Sequence, residues 1–153
     1  MRSFLFVATI FLIPAACLSA DYPLASCSSW NATLIERSGA NTRMAIIKGL
    51  TTKPDFVEYC LRDPGGETVD HGGKLSVDQC VDKYMRSNGN QFYSATADCD
   101  AARITSAVAD KVVKMKFPVG GNFDTSCAGG YPPIEAQFIL LCPKKAEELD
   151  LVK

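Results

Sequence analysis

The sequence predicts an α+β fold: a disulfide-stabilised, short-helix N-terminal half packed on a C-terminal antiparallel β-sheet. Three observations carry that prediction. Apolar residues recur at helical spacing in the first half, they alternate in the second, and cysteines are spread over both.

The chain opens on a segment with the parts of a secretory signal. Arg2 supplies the positive n-region, residues 4–16 form an uncharged apolar run, and Cys17-Leu18-Ser19-Ala20 precede Asp21. The run is shorter than the about 20 apolar residues that span a bilayer, and no later stretch approaches that length. Residues 1–20 are therefore expected to be removed, leaving a mature chain without a transmembrane segment. Cleavage after Ser19 fits nearly as well as cleavage after Ala20. A competing reading rests on Pro14-Ala15-Ala16-Cys17, which loosely resembles a bacterial lipobox with lipidation at Cys17, although Pro14 stands where an aliphatic residue is usual.

Setting Cys17 aside leaves Cys27, Cys60, Cys80, Cys99, Cys127 and Cys142. An even number in an exported chain predicts three disulfides, with the pairing left open. Zinc is disfavoured, because no two cysteines have two to four residues between them and His71 is the only histidine. Each half holds an odd number of the six, so full pairing requires at least one bridge between the halves.

In the helical half, Trp30, Leu34 and Ile35 follow helical spacing up to Gly39, a residue preferred just past a helix end. Asn41 then caps a second short helix carrying Met44, Ile47 and Leu50. The run from Thr33 to Leu50 also reads as two strands. Thr52 caps a third helix, with Pro54 in its first turn and Phe56, Tyr59 and Cys60 on one face. Ser76 and Gln79 form a capping box for a fourth, whose buried stripe is Val77, Cys80, Val81, Tyr84 and Met85. Asn88-Gly89-Asn90 ends it.

In the second half, residues 92–97 and 103–108 read as strands. Residues 111–117 alternate, with Val113, Met115 and Phe117 facing one way and Lys114 and Lys116 the other. Ile134, Ala136, Phe138, Leu140 and Cys142 also sit two apart and predict a final strand. A helix capped by Asp100, with Ile104, Val108, Val112 and Met115 on one face, fits the same region, but its β-branched residues favour the pleated surface. Glycine-rich loops cover residues 63–73 and 118–133. Residues 21–143 read as a single domain, followed by a charged, frayed tail over 144–153.

The chemistry-bearing residues are few. His71 is the one imidazole available for acid–base work, and no G-x-S-x-G nucleophile pattern accompanies it. Adjacent Asp70 makes no dyad with it, because consecutive side chains usually point apart. Asp63, Glu67 and Asp70 concentrate oxygen ligands in the first loop, but their spacing does not match a calcium loop, so a hydrated surface turn is the simpler account and no metal is expected. The paired glycines 65–66, 72–73, 120–121 and 129–130 lack the context of phosphate cradles, and no cofactor is expected. The even cysteine count and the absence of C-x-x-C argue against thiol catalysis. Losing Arg2 with the signal moves the formal net charge from −1 to −2, with charges of both signs scattered along the chain. That pattern shows no electrostatic footprint for nucleic acid or an anionic membrane.

Phe123 and Tyr131, set among glycines in the second loop, are candidates for contact with a partner, together with Asp70 and His71. The competing expectation is that both rings fold back over the sheet. Asn31-Ala32-Thr33 is a glycosylation sequon that matters only in a eukaryotic secretory route, and Trp30 beside it suggests a partly buried helix.

Ile46-Ile47-Lys48-Gly49-Leu50, Tyr59-Cys60-Leu61 with Pro64, and residues 75–85 together resemble the small periplasmic immunity proteins that neutralise type VI secreted amidase effectors. The resemblance covers about a third of the chain and fails over the second half, where that family stays helical. Cysteine-rich exported bacterial proteins of uncharacterised role are similar too, especially around residues 92–99. The resemblance implies a non-enzymatic binder of an exported enzyme. The expected function is thus an exported protein, periplasmic or secreted, that binds another macromolecule as an inhibitor, immunity or accessory factor. The alternatives are a small exported hydrolase using His71 with nearby carboxylates, and a structural envelope component.

Overall fold

The computed structural model describes residues 21–24, 30–108, 111–119 and 133–152. The architecture is α+β, an antiparallel sheet with helices, tied by disulfides Cys60–Cys80 and Cys99–Cys142. Strands β1 (Asp21–Pro23), β2 (Asn31–Ser38), β3 (Ala45–Leu50), β4 (Phe92–Asp98), β5 (Arg103–Val108) and β6 (Lys111–Lys116) lie side by side in chain order. Each neighbouring pair is antiparallel. Helices α1 (Lys53–Arg62) and α2 (Val77–Asn88) are inserted between β3 and β4, and α3 (Ile134–Leu141) and α4 (Pro143–Glu148) follow β6 in the chain.

Two of the short helices expected in the first half are strands. Residues 31–38 and 45–50 form β2 and β3, the alternative that the same run allowed. A bulge between Leu34 and Glu36 hid the two-residue period of β2. It adds one residue, Ile35, to that strand, so the alternation restarts on the opposite parity. In β3 the buried positions are Ala45, Ile47 and Gly49, and the glycine contributes nothing to an apolar count. Its place is occupied from outside: a Cβ on Gly49 would lie 2.6 Å from Cγ of Tyr22, whose ring crosses the strand there. The sequon residue Asn31 accordingly stands on β2, not on a helix, and donates to the Asp21 carboxylate at 3.2 Å.

The other two helices form as expected. Asp55 accepts from both the backbone N–H and the hydroxyl of Thr52, fixing the start of α1. Ser76 and Gln79 exchange side-chain and backbone bonds at the start of α2. Phe56 and Cys60 of α1 meet Cys80 and Val81 of α2 in a small core. Trp30, Tyr59 and Tyr84 wrap it, with Tyr59 and Tyr84 edge to face at 4.9 Å and Trp30 and Tyr59 at 5.2 Å. Thr51 clamps the base of this insertion. Its N–H donates to Gln91, its carbonyl accepts from Asn90, and its buried hydroxyl donates to Asn88.

A second correction concerns residues 134–142, where Ile134–Leu141 form α3 and not a strand. Ile134, Phe138, Leu141 and Cys142 are buried, while Ala136, which the two-residue period placed with them, is exposed. The segment is apolar nearly all round, so its sequence satisfies both periods, and its Glu, Ala, Gln and Leu residues favour the helix. Phe138 packs on Phe117 at 4.6 Å and brings α3 onto the face formed by Tyr22, Ile47, Ala95 and Ile104. The orphan carbonyls at the end of α3 are met by the Asn41 N–H (3.0 Å) and the Arg37 guanidinium (2.7 Å). The tail expected to be frayed is also partly ordered, because α4 inserts Ala146 into the same core and Leu149 and Leu151 pack beside it.

Residues 92–98, 103–108 and 111–116 are strands, which removes the helix capped by Asp100. Cys60–Cys80 joins two helices and Cys99–Cys142 joins the β4–β5 turn to the α3–α4 junction. Neither of these two bridges crosses between the halves, and Cys27 and Cys127 lie outside the described residues, as do the signal segment and Cys17. Among the described residues no helix is long and apolar enough to cross a membrane.

Candidate functional site

Two surfaces concentrate the residues able to act on something else. The first is the loop from α1 to α2. Asp63 ends α1 in the left-handed conformation and turns its carboxylate into the loop, where the side chain is 1% exposed. It accepts from the backbone N–H groups of Glu67 (3.0 Å) and Thr68 (2.5 Å) and from the Thr68 hydroxyl (2.7 Å). Burial pushes this carboxyl upward, but those donors, with the His71 imidazole nearby, outweigh it and hold the group at about 2. The loop closes through Gly73, where a Cβ would lie 2.0 Å from the Glu67 carbonyl.

His71 sits on a one-turn 3-10 helix, Val69–His71, with its Nδ1 3.1 Å from the Thr68 hydroxyl and 3.8 Å from Asp63. The hydroxyl has one proton, and an ionised Asp63 can only accept it. Nδ1 must therefore be the donor to Thr68, which leaves the lone pair of the neutral ring on Nε2. Asp63, Thr68 and His71 thus form a chain from a buried carboxylate to an exposed imidazole. The other acids do not join it. Glu67 accepts from Lys83 at 2.8 Å through both oxygens and from the Tyr84 hydroxyl at 3.3 Å. Asp70 is exposed and makes none of the described side-chain hydrogen bonds. The oxygens of this loop do not converge, and no cluster of three His, Cys, Asp or Glu among the described residues is placed to hold a metal ion.

The depressed carboxyl has a stability consequence with a definite sign. Because the folded value lies below the ordinary 3.8, Asp63 contributes stability above that pH and loses it as the pH falls toward 2. Urea midpoints measured from pH 5 to pH 2 are expected to fall steeply for the natural chain and less steeply for Asp63→Asn. Equal slopes would remove Asp63 from the account.

The second surface is the face of the sheet turned away from α3. Among the described residues no helix covers its centre. The register aligns Ser38, Ile46, Thr96, Thr105 and Lys114 in one row across it, and Glu36, Lys48, Ser94, Ala107 and Val112 in the next. Lys48 and Glu36 form an ion pair at 2.7 Å. Phe92 and Val112 on this face are 65% and 57% exposed, and Met44 at its border is 76% exposed. At the end near the β4–β5 turn, a groove of about 340 Å³ is lined by Met44, Ile46, Thr96, Asp98, Arg103 and Thr105. Arg43 closes it, paired with Asp100 at 2.7 Å.

Of the four residues expected to contact a partner, Asp70 and His71 are exposed side by side on the first surface, whereas Phe123 and Tyr131 lie outside the described residues. The open sheet face was missed. Its only sequence signal was the alternation that set Lys114 and Lys116 opposite Val113 and Met115, and the helical reading of residues 44–50 concealed Ile46. The chain matches no protein-family model, and it has no match among curated proteins or solved structures.

Proposed function

We propose that this chain is an exported, non-enzymatic protein, periplasmic or secreted, that binds another macromolecule as an inhibitor, immunity or accessory factor. The observation that carries the reading is the open face of the sheet. A sheet with one face packed on a helix and the other free to meet solvent usually carries polar side chains on the free side. Here that side also holds Phe92 and Val112, with Met44 at its border, all more than half exposed. They are spread along the face, with Phe92 at the start of β4 and Met44 at the opposite end, where β3 begins, and they offer separate apolar contact points on an otherwise polar surface. The disulfides fit an oxidising compartment, and Cys99–Cys142 ties the β4–β5 turn of the sheet to the end of α3.

Affinity capture from the native extracellular or periplasmic fraction tests this, with the bound species identified by mass spectrometry. Recovery of a stoichiometric macromolecule by the natural chain, lost with Met44→Glu and Phe92→Glu together, is the expected result. Reproducible recovery of nothing would sink the proposal. A second reading, a small exported hydrolase, draws on the Asp63–Thr68–His71 chain, which orients an imidazole as a general base requires. His71→Ala separates the two: capture is unaffected if the sheet face binds, whereas any hydrolytic activity disappears in the other case.

A further inference from the structure

The cations of the open face are unevenly placed. Arg103 and Lys116 are direct cross-strand neighbours, and Lys114 stands on the same face two residues from Lys116. Like charges directly opposite one another destabilise an antiparallel pair. None of the three takes part in an ion pair or a side-chain hydrogen bond among the described residues, unlike Arg43 and Lys48 on the same side of the sheet. Asp98 lies opposite Arg103 in the register and offsets part of this charge, while its Oδ1 accepts from the Ala101 N–H in the β4–β5 turn at 3.0 Å; Lys114 and Lys116 leave the cluster with a net positive charge. The chain as a whole is slightly acidic, so this cluster is a local positive pole.

We infer that Arg103, Lys114 and Lys116 receive the carboxylates of an acidic protein partner, whose apolar side chain enters the neighbouring groove beside Met44 and Ile46. This rests on the binding function proposed above and specifies the partner's chemistry. The cluster abuts the groove directly, since Arg103 and Thr105 line it and Thr105 pairs with Lys114. Charge also excludes the simplest competitor, a second copy of the chain. Strand β6 is a sheet edge, and a two-fold pairing of two such edges would bring the outer-face lysines of both copies together. Lysines on an edge act against self-pairing. Nor do the numbers suit other polyanions. Recognition of an anionic membrane by charge takes a cluster of about four to eight cations, and a nucleic-acid surface calls for a strongly basic domain.

The mature, oxidised protein is titrated by fluorescence anisotropy with labelled poly-L-glutamate, and in parallel with heparin and phosphatidylglycerol vesicles. Poly-L-glutamate is expected to bind, more weakly as salt is raised. The triple variant Arg103→Gln, Lys114→Gln, Lys116→Gln should lose about tenfold in affinity, the size expected of three exposed ion pairs. Lys144→Gln on α4 serves as the control and should bind as the natural chain does. Glutamines suit strands, and an unchanged circular dichroism spectrum shows that the triple variant folds. Undiminished binding by that variant, absence of poly-L-glutamate binding, or tighter binding to heparin or vesicles that the variant loses would each overturn the inference. The capture experiment keeps this failure apart from failure of the binding function. A partner still captured by the triple variant refutes the acidic-partner assignment alone, whereas no partner at all refutes the function beneath it.

Discussion

Replacing Cys99 and Cys142 together by alanine is expected to lower the folding free energy by about 4 kcal/mol, from the chain entropy that so long a loop regains when unfolded. The bridge joins residues 43 apart in sequence and links the β4–β5 turn to the end of α3. Both cysteines are buried in the main core, so the lost packing adds to the entropic loss. Cys60–Cys80 spans 20 residues, and its removal should cost about 3 kcal/mol on the same basis. The two losses should also differ in place. Without Cys60–Cys80, hydrogen exchange should accelerate in α1 and α2, whose core is separate, while the sheet keeps its protection. Without Cys99–Cys142 the sheet itself should lose protection. Urea titration of the oxidised variants measures the sizes, and an unchanged midpoint for the Cys99/Cys142 variant would refute the first claim.

Gly49→Ala is expected to destabilise the fold by about 1 to 3 kcal/mol, the range for overfilling a well-packed core. The added Cβ would stand 2.6 Å from Cγ and 2.8 Å from Cβ of Tyr22, in the middle of a strand paired on both sides. Neither atom is the movable end of a flexible side chain. Tyr22 is itself fully buried, with its ring 5.9 Å from that of Tyr93, and burial pushes its phenol up to about 12 despite the Ser106 hydroxyl, which pulls the other way. Removing the ring should therefore also be costly, about 3 to 5 kcal/mol by analogy with other buried aromatics. The two effects should not add. Once Tyr22→Ala has removed the ring, Gly49→Ala should cost less, because the contacts with Cγ and Cδ2 are gone and only the 2.8 Å approach of the retained Cβ is left to relieve. A double-mutant cycle measures the coupling, and simple additivity would show that Gly49 is required for another reason.

The same pair shows why part of the fold was legible in the sequence and part was not. α1 and α2 were readable because their start signals are local. Thr52 with Asp55 and Ser76 with Gln79 act within one turn, and the buried stripe of α2 lies within three turns. The strands from Phe92 to Lys116 were readable because their alternation is uninterrupted. β2 and β3 were ambiguous for reasons that lie outside them. A bulge shifted the parity of β2, and the buried position at Gly49 is filled by a side chain from residue 22. α3 was misread because a segment apolar on nearly every side satisfies either period.

The candidate sites divide in the same way. That His71 was the only imidazole and lay near Asp63, Glu67 and Asp70 was evident from the sequence. Which carboxylate it would reach was not. Selection of Asp63 over its nearer neighbour Asp70 follows from the left-handed end of α1, which turns that carboxylate inward to the N–H groups of Glu67 and Thr68.

By itself the sequence determined the α+β class, the caps of α1 and α2, the strands of the second half and the use of cysteines as staples. Each follows from contacts between residues close in the chain, or from counting. Only the tertiary structure decided the partners of the described cysteines, the strand state of residues 31–50, the helix at 134–141 and the exposure of one sheet face. Those depend on which distant surface arrives to be covered: α3 reaches one side of the sheet, and the other is left with Ile46, Phe92 and three cations that have no ion-pair partner among the described residues.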